Sequence, residues 1–205
     1  MNGPRSRAVA AAAMGTLAVA ACGSIGAPTA AGAGGASSPA ASASQQPSGR
    51  AAAVGACSPS ALKISLDSAA AAVAAGSSYV PLEFANVSAS PCTLPSYPGV
   101  TFASGSGGPA IGPPAIQQDT AAAQAVVLAP GQLAHSWLQI AAAANYPAAS
   151  CHPVTAQGLL ISLTSGAPPS FLADSVPACA QPPAGSAILS VFPVRAGQPQ
   201  RGTVP

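Results

Sequence analysis

The chain has 205 residues, room for one ordinary domain with appendages, and only 5% of them are charged, against about a quarter of a typical soluble domain. Arg5 and Arg7 account for its formal net charge of +2; past them Arg50, Lys63, Arg195 and Arg201 balance Asp67, Glu83, Asp119 and Asp174. Four cations scattered from residue 50 to residue 201 exclude a nucleic-acid binder, which groups Lys and Arg along phosphates, and argue against electrostatic binding to anionic lipid headgroups.

In chain order, Arg5 and Arg7 come first, and Ala8 to Ala21 is an apolar run broken only by Gly15 and Thr16. That pattern reads as a secretory leader over residues 1–21, since a membrane span needs about 20 apolar residues. The run ends Val19-Ala20-Ala21-Cys22-Gly23, which resembles the lipobox of bacterial lipoproteins. A branched residue stands three before the cysteine, two small residues fit the peptidase, and the thiol takes the diacylglyceryl group. Cys22 is therefore the expected lipid-attachment site, and the membrane the expected partner of this end of the chain. The alternative is an ordinary leader cut after Ala18-Val19-Ala20. Without a twin arginine, the general secretory route is expected.

Residues 22–56 are Ala, Ser, Gly and Pro with Thr and Gln, interrupted by Ile25, Arg50 and Val54. Such a segment buries too little to offset ordering entropy and is expected to be a flexible tether with a reach of about 30 Å.

From residue 57 to residue 195 the patterns are those of strands. Leu62, Ile64 and Leu66 alternate with Lys63, Ser65 and Asp67; Val80, Leu82 and Phe84 alternate with Pro81, Glu83 and Ala85. Pro81 suggests an edge or a bulge. Val100 to Phe102 leads into a Gly-rich turn. Val126 to Leu128 runs into Ala129-Pro130-Gly131, with Leu133 to Ile140 expected as its hairpin partner. Leu159, Ile161 and Leu163 alternate, and Ile188 to Val194 closes the domain, with Pro193 again at an edge. The polyalanine stretches Ala69–Ala75 and Ala141–Ala144 lack a periodic apolar face and read as loops or single helical turns. About seven strands separated by turns predict an all-β fold, an antiparallel immunoglobulin-like β-sandwich, with residues 196–205 as a disordered tail.

Cys57, Cys92, Cys151 and Cys179 are an even set in an exported domain and imply two disulfides. Three pairings exist; Cys57–Cys92 and Cys151–Cys179 are favoured, tying the start of the domain to its first hairpin and the last strands together. Cys151 and His152 are adjacent, but no Cys-x-x-Cys or His-x-x-x-His accompanies them, so no metal site is expected.

One order of motifs carries a family resemblance. It runs from Cys57 through Gly76-Ser77-Ser78-Tyr79-Val80-Pro81-Leu82, Phe84-Ala85-Asn86, Pro91-Cys92-Thr93-Leu94 and Tyr97-Pro98-Gly99-Val100. It continues through Leu128-Ala129-Pro130-Gly131 and Cys151-His152-Pro153 to Cys179. This resembles the actinobacterial domain of unknown function numbered four-two-three-two, found on secreted proteins and lipoproteins. The resemblance implies an exported β-sandwich with four structural cysteines and lends no catalytic residues and no cofactor.

Reactive constellations are sparse. His135 lies inside a predicted strand, and His152 follows a half-cystine and precedes Pro153. There is no Gly-x-Ser-x-Gly, no His-Glu-x-x-His and no phosphate-cradling loop. Asp67 and Glu83 can neighbour each other on adjacent strands, yet read as two solvated outward residues. Asn86-Val87-Ser88 has the form of a glycosylation sequon and also suits a strand-end turn. Trp137, Tyr97 and His135 are the candidate ligand surface, with Trp137 either in the core or facing out beside His135. The expected function is a non-catalytic module of the cell envelope, held at the outer face of the cell membrane and binding an envelope component or serving structurally. The alternative is a hydrolase acting on cell-wall material.

Overall fold

The computed structural model describes residues 53–118, 123–200, 202 and 205; the leader, Cys22, most of the tether, and Asp119 lie outside the described residues. Thirteen strands are described. In chain order they are β1 (Leu62–Leu66), β2 (Ala72–Ala74), β3 (Ser77–Asn86), β4 (Cys92–Leu94), β5 (Gly99–Ala103), β6 (Ala110–Ile111) and β7 (Ile116–Gln117). There follow β8 (Val126–Leu128), β9 (Leu133–Ala141), the four-residue helix α1 (Ala148–Cys151), β10 (Pro153–Ser162), β11 (Ser170–Cys179), β12 (Leu189–Val191) and β13 (Arg195–Ala196).

The largest sheet runs β1-β3-β9-β12-β7, with β2 added to β3 and β13 to β9. A second sheet runs β11-β10-β5-β6, and β4 pairs with β8. All pairings are antiparallel except β12 with β7. The fold is therefore an all-β, sandwich-like arrangement. Its core draws Leu82, Phe84 and Leu138 from the large sheet, Val100, Phe102, Leu159 and Ile161 from the second, and Leu94 and Leu128 from the third. The alternation in β1, β3 and β10 put those apolar side chains on one face, and each large one buried contributes about 1.5–3 kcal/mol.

Several expectations are corrected. The strands are more numerous than seven, β3 and β10 run longer than their alternating segments, and β11 has no counterpart among the expected strands: Phe171 and Leu172 are adjacent, and Pro177 interrupts the run. β8 does not form a hairpin with β9; it pairs with β4, while β9 pairs with β3 and β12. The Ala129–Gln132 turn crosses between sheets, held there by Gly131 N–H to Asn86 O and Asn86 N–H to Gln132 O. Pro81 is not at an edge, since β3 has neighbours on both sides. It is tolerated because β1 has ended beside it: Asp67 N–H bonds Pro81 O as the chain turns away, and no donor is needed there. The stretch 69–75 contains β2 as well as a turn, in which Ala75 and Gly76 both have positive φ, 47° and 73°, as a two-residue hairpin turn with the twist of its strands requires. Pairing also extends past residues 57 and 195. Gly55 O accepts from Thr93 N–H, Ala196 pairs with Ala134, and Gly197 N–H bonds Leu133 O.

The disulfides join Cys57 to Cys92 and Cys151 to Cys179, the pairs favoured by sequence. The first fixes the entering chain to β4; the second ties the end of α1 to the end of β11. The sequon is internal. Asn86 is 1% exposed, and its Nδ2 donates to Ser90 O at 2.9 Å and Leu128 O at 3.0 Å. Its Oδ1 accepts from Ser88 N–H and Ser88 Oγ. That side chain is occupied in joining β3 to β8, which leaves no amide for a glycan.

Two measurements follow. With its partners 28 positions apart in sequence, the Cys151–Cys179 bridge stabilises by about 3.5 kcal/mol in the chain-entropy model. The double replacement Cys151→Ala, Cys179→Ala is expected to lower the free energy of urea unfolding by about that amount; a loss under about 1 kcal/mol contradicts the assignment. Asn86→Ala strands the Leu128 carbonyl and the Ser88 donors and is expected to cost about 3 kcal/mol, whereas Val87→Ala, at an exposed site, changes stability by less than about 0.5 kcal/mol.

Candidate functional site

The three residues proposed as a ligand surface do not converge. Tyr97 lies between β4 and β5, packs against the core, and donates its hydroxyl to Gln118 O at 3.2 Å. Trp137 and His135 are two apart on β9 and share the face opposite the core residues Ala134, Leu138 and Ile140. Both are nonetheless only 8% exposed. The chain returning from β12 explains this: Phe192 N–H bonds Trp137 O, and Gly197 O lies 2.9 Å from His135 Nδ1. Trp137 is thus buried on a second, outer layer, beside Pro81 of β3 and near the Tyr79–Phe192 ring pair.

On that layer the register aligns Ser65, Glu83, His135 and Arg195 across four strands. A carbonyl oxygen only accepts, so His135 Nδ1 is the donor to Gly197 O, and the ring serves as a clasp on the last strand. None of Trp137, His135, Tyr97, Glu83 or Arg195 lines any of the four clefts described. His152 is exposed in the left-handed region at φ 47°, its N–H capping α1 through Ala148 O. Asp67 accepts from Ala69 N–H and Ala70 N–H, so its carboxylate holds the turn after β1. Among the described residues, no three His, Cys, Asp or Glu side chains stand together as a metal site.

What the arrangement does offer is concave surface between the sheets. A cleft of about 400 Å³ lies between Leu66 and Val80 of the large sheet and Leu172, Asp174 and Val176 of β11. A cleft of about 350 Å³ continues from it past Val73, Gly76 and Ala141–Ala144. The two share Ser78, Ile140 and Val176. A separate cleft of about 280 Å³ is walled by Pro113, Pro114, Pro182 and Pro183. Sequence reading missed the β11 wall because β11 itself was missed. The polyalanine stretches were a usable signal: small side chains beside strands leave depth.

Because it is buried beside Pro81, Trp137 is expected to act on stability. Trp137→Ala should cost about 3 kcal/mol in urea unfolding, whereas Tyr97→Phe, losing the hydroxyl bond to Gln118 O, should cost about 1 kcal/mol. A Trp137→Ala variant as stable as the parent would place that side chain at a free surface instead.

No curated protein and no solved structure matches the chain. A family model does match, over residues 57–195, and this stretch spans the disulfide-bonded strands just described and more than half of the chain. The chain therefore belongs to the family described as a domain of unknown function (DUF4232).

Proposed function

We propose that the protein is a non-catalytic module of the cell envelope, exported and held at the outer face of the cell membrane by a lipid on Cys22, where its β-sandwich binds an envelope component. The fate of the cysteines carries this reading. Of the five in the sequence, Cys57, Cys92, Cys151 and Cys179 are joined in pairs, a state that persists in oxidising compartments. The fifth, Cys22, stands where an apolar run of leader length stops, behind Val19-Ala20-Ala21.

The non-catalytic part rests on how the few reactive groups are used. His135 clasps Gly197, Asp67 holds a turn, and the cysteines are cross-links. Even a 10⁶-fold rate enhancement asks for about 8 kcal/mol of transition-state stabilisation, which normally comes from preorganised polar groups in a dry site. The clefts are instead lined mainly by apolar side chains, as binding sites commonly are.

Anchoring is tested by fractionation of cells expressing the parent and Cys22→Ala. The parent is expected in the membrane fraction, and Cys22→Ala in the periplasm or medium with its disulfides intact. Equal membrane retention of both would defeat the lipid assignment.

A further inference from the structure

The joined clefts between the large sheet and β11 have a chemistry that selects a ligand. Their combined lining contains a single formal charge, Asp174, which lines only the larger part, between Leu172 and Val176 on β11. Away from it the walls are Leu66, Val80, Ile140, Leu172 and Val176, then Val73 and the alanines 141–144. At about 350 and 400 Å³ the parts fall within the range of about 300–1,000 Å³ that holds small ligands. Val73 is 83% exposed at the apolar end, the most exposed large hydrophobic side chain among the described residues.

The polar groups of Gly76, Ser77 and Ser78 are already engaged. Gly76 O accepts from both Ala142 N–H and Asn145 Nδ2, Ser77 Oγ accepts from Gln139 Nε2, and Ser78 Oγ donates to Ile140 O. An extended peptide added to a strand needs backbone partners, and the adjacent edge strand β11 is blunted by Pro177 and by the bulge at Ala156/Gly158. The groove therefore suits a ligand that asks for no backbone hydrogen bonds along its length and has one cation at its end.

We propose that this groove binds a single-chain cationic amphiphile, the aliphatic chain lying along Ser78, Ile140 and Val176 toward Val73 and the positively charged head on the Asp174 carboxylate. The inference rests on the reading of the domain as a binding module and names its ligand class. Anchoring through Cys22 is independent of it, and the fractionation of Cys22→Ala is unaffected by what the groove binds.

The test is calorimetric titration of the full chain carrying Cys22→Ala, which removes any attached lipid that would compete. The probes are dodecyltrimethylammonium and dodecyl sulfate, each below its micelle threshold. Saturable one-to-one binding of the cationic probe is expected, with chemical-shift changes at the methyl groups of Ile140 and Val176. Ser78→Trp, at an exposed position shared by both clefts, is expected to weaken binding about tenfold or more; Ala142→Trp serves the same purpose if Ser78→Trp does not fold. Asp174→Asn is expected to weaken the cationic probe by about two- to fivefold, the scale of a solvent-exposed ion pair, and to leave dodecyl sulfate no weaker. Absence of saturable binding, or equal binding to a folded Trp variant, overturns the site. Equal affinity for the two probes, or no effect of Asp174→Asn, overturns the cationic head.

Discussion

The ladder between β3 and β9 is the constraint on which the rest of the domain depends. It pairs nine residues of each strand, from Ser77–Ala141 to Ala85–Leu133, and it lies at the middle of the largest sheet. Side chains alternate across a strand, so a slip of one residue would turn Leu82, Phe84 and Leu138 away from the core and bring Glu83, His135 and Trp137 into it. The cost of burying those polar groups fixes the register. Once it is fixed, β1 and β2 share one side of β3, β12 and β13 share the far side of β9, and the Asn86 side chain reaches Leu128 to lock β8 in place.

That ladder has to work with small side chains. Aromatic residues are 4% of the chain, and much of the sequence near the strands is alanine, so each position buries little apolar surface. The domain compensates with cross-links and close approach. Two disulfides tie its first strands and its last long hairpin. At Gly158 a side chain would run into the Leu172 carbonyl and the Phe171 ring, so glycine is what lets β11 close on β10. Buried polar groups are engaged as well: Ser136 Oγ donates to Phe192 O at 2.7 Å inside the protein, and a hydroxyl there costs little because its partner is fixed.

How much of this the sequence discloses depends on how local each signal is. β1, β3 and β10 are legible because their apolar residues alternate within a few positions, and β8 and β9 because apolar segments flank the Ala129-Pro130-Gly131 turn. The partner of β8 is not, since Ala129-Pro130-Gly131 announces a turn without saying which strands it joins. β11 hides because its bulge breaks the period of two and Pro177 reads as a breaker, although an edge strand tolerates both. The facing of Trp137 posed a choice between core and surface that the fold does not respect. Its parity is outward, yet the chain after β12 covers it, and only the long-range return of residues 192–197 decides that. The candidate ligand surface failed for the same reason: Trp137 and His135 are near in sequence to each other, but what lies over them comes from residues far along the chain.

The same features explain why the open side of the sandwich sits where it does. β2 is only three residues long and pairs with β3 alone, while β11 runs along the edge of the other sheet. Among the described residues no further strand closes the gap between them, so Leu66, Val80, Leu172 and Val176 remain only partly buried although they pack against the core. A gap of this kind between two sheet edges invites either another strand or a ligand. The bulge and Pro177 on β11 interrupt the row of backbone groups that an added strand would use, and exposed Pro177 directs no N–H to it. Side-chain contact along the floor of the groove survives that interruption, because it depends on the lining and not on the ladder. An edge closed to strands and an apolar floor left open are thus two results of one local geometry, and the first keeps a charge-poor domain from pairing edge to edge.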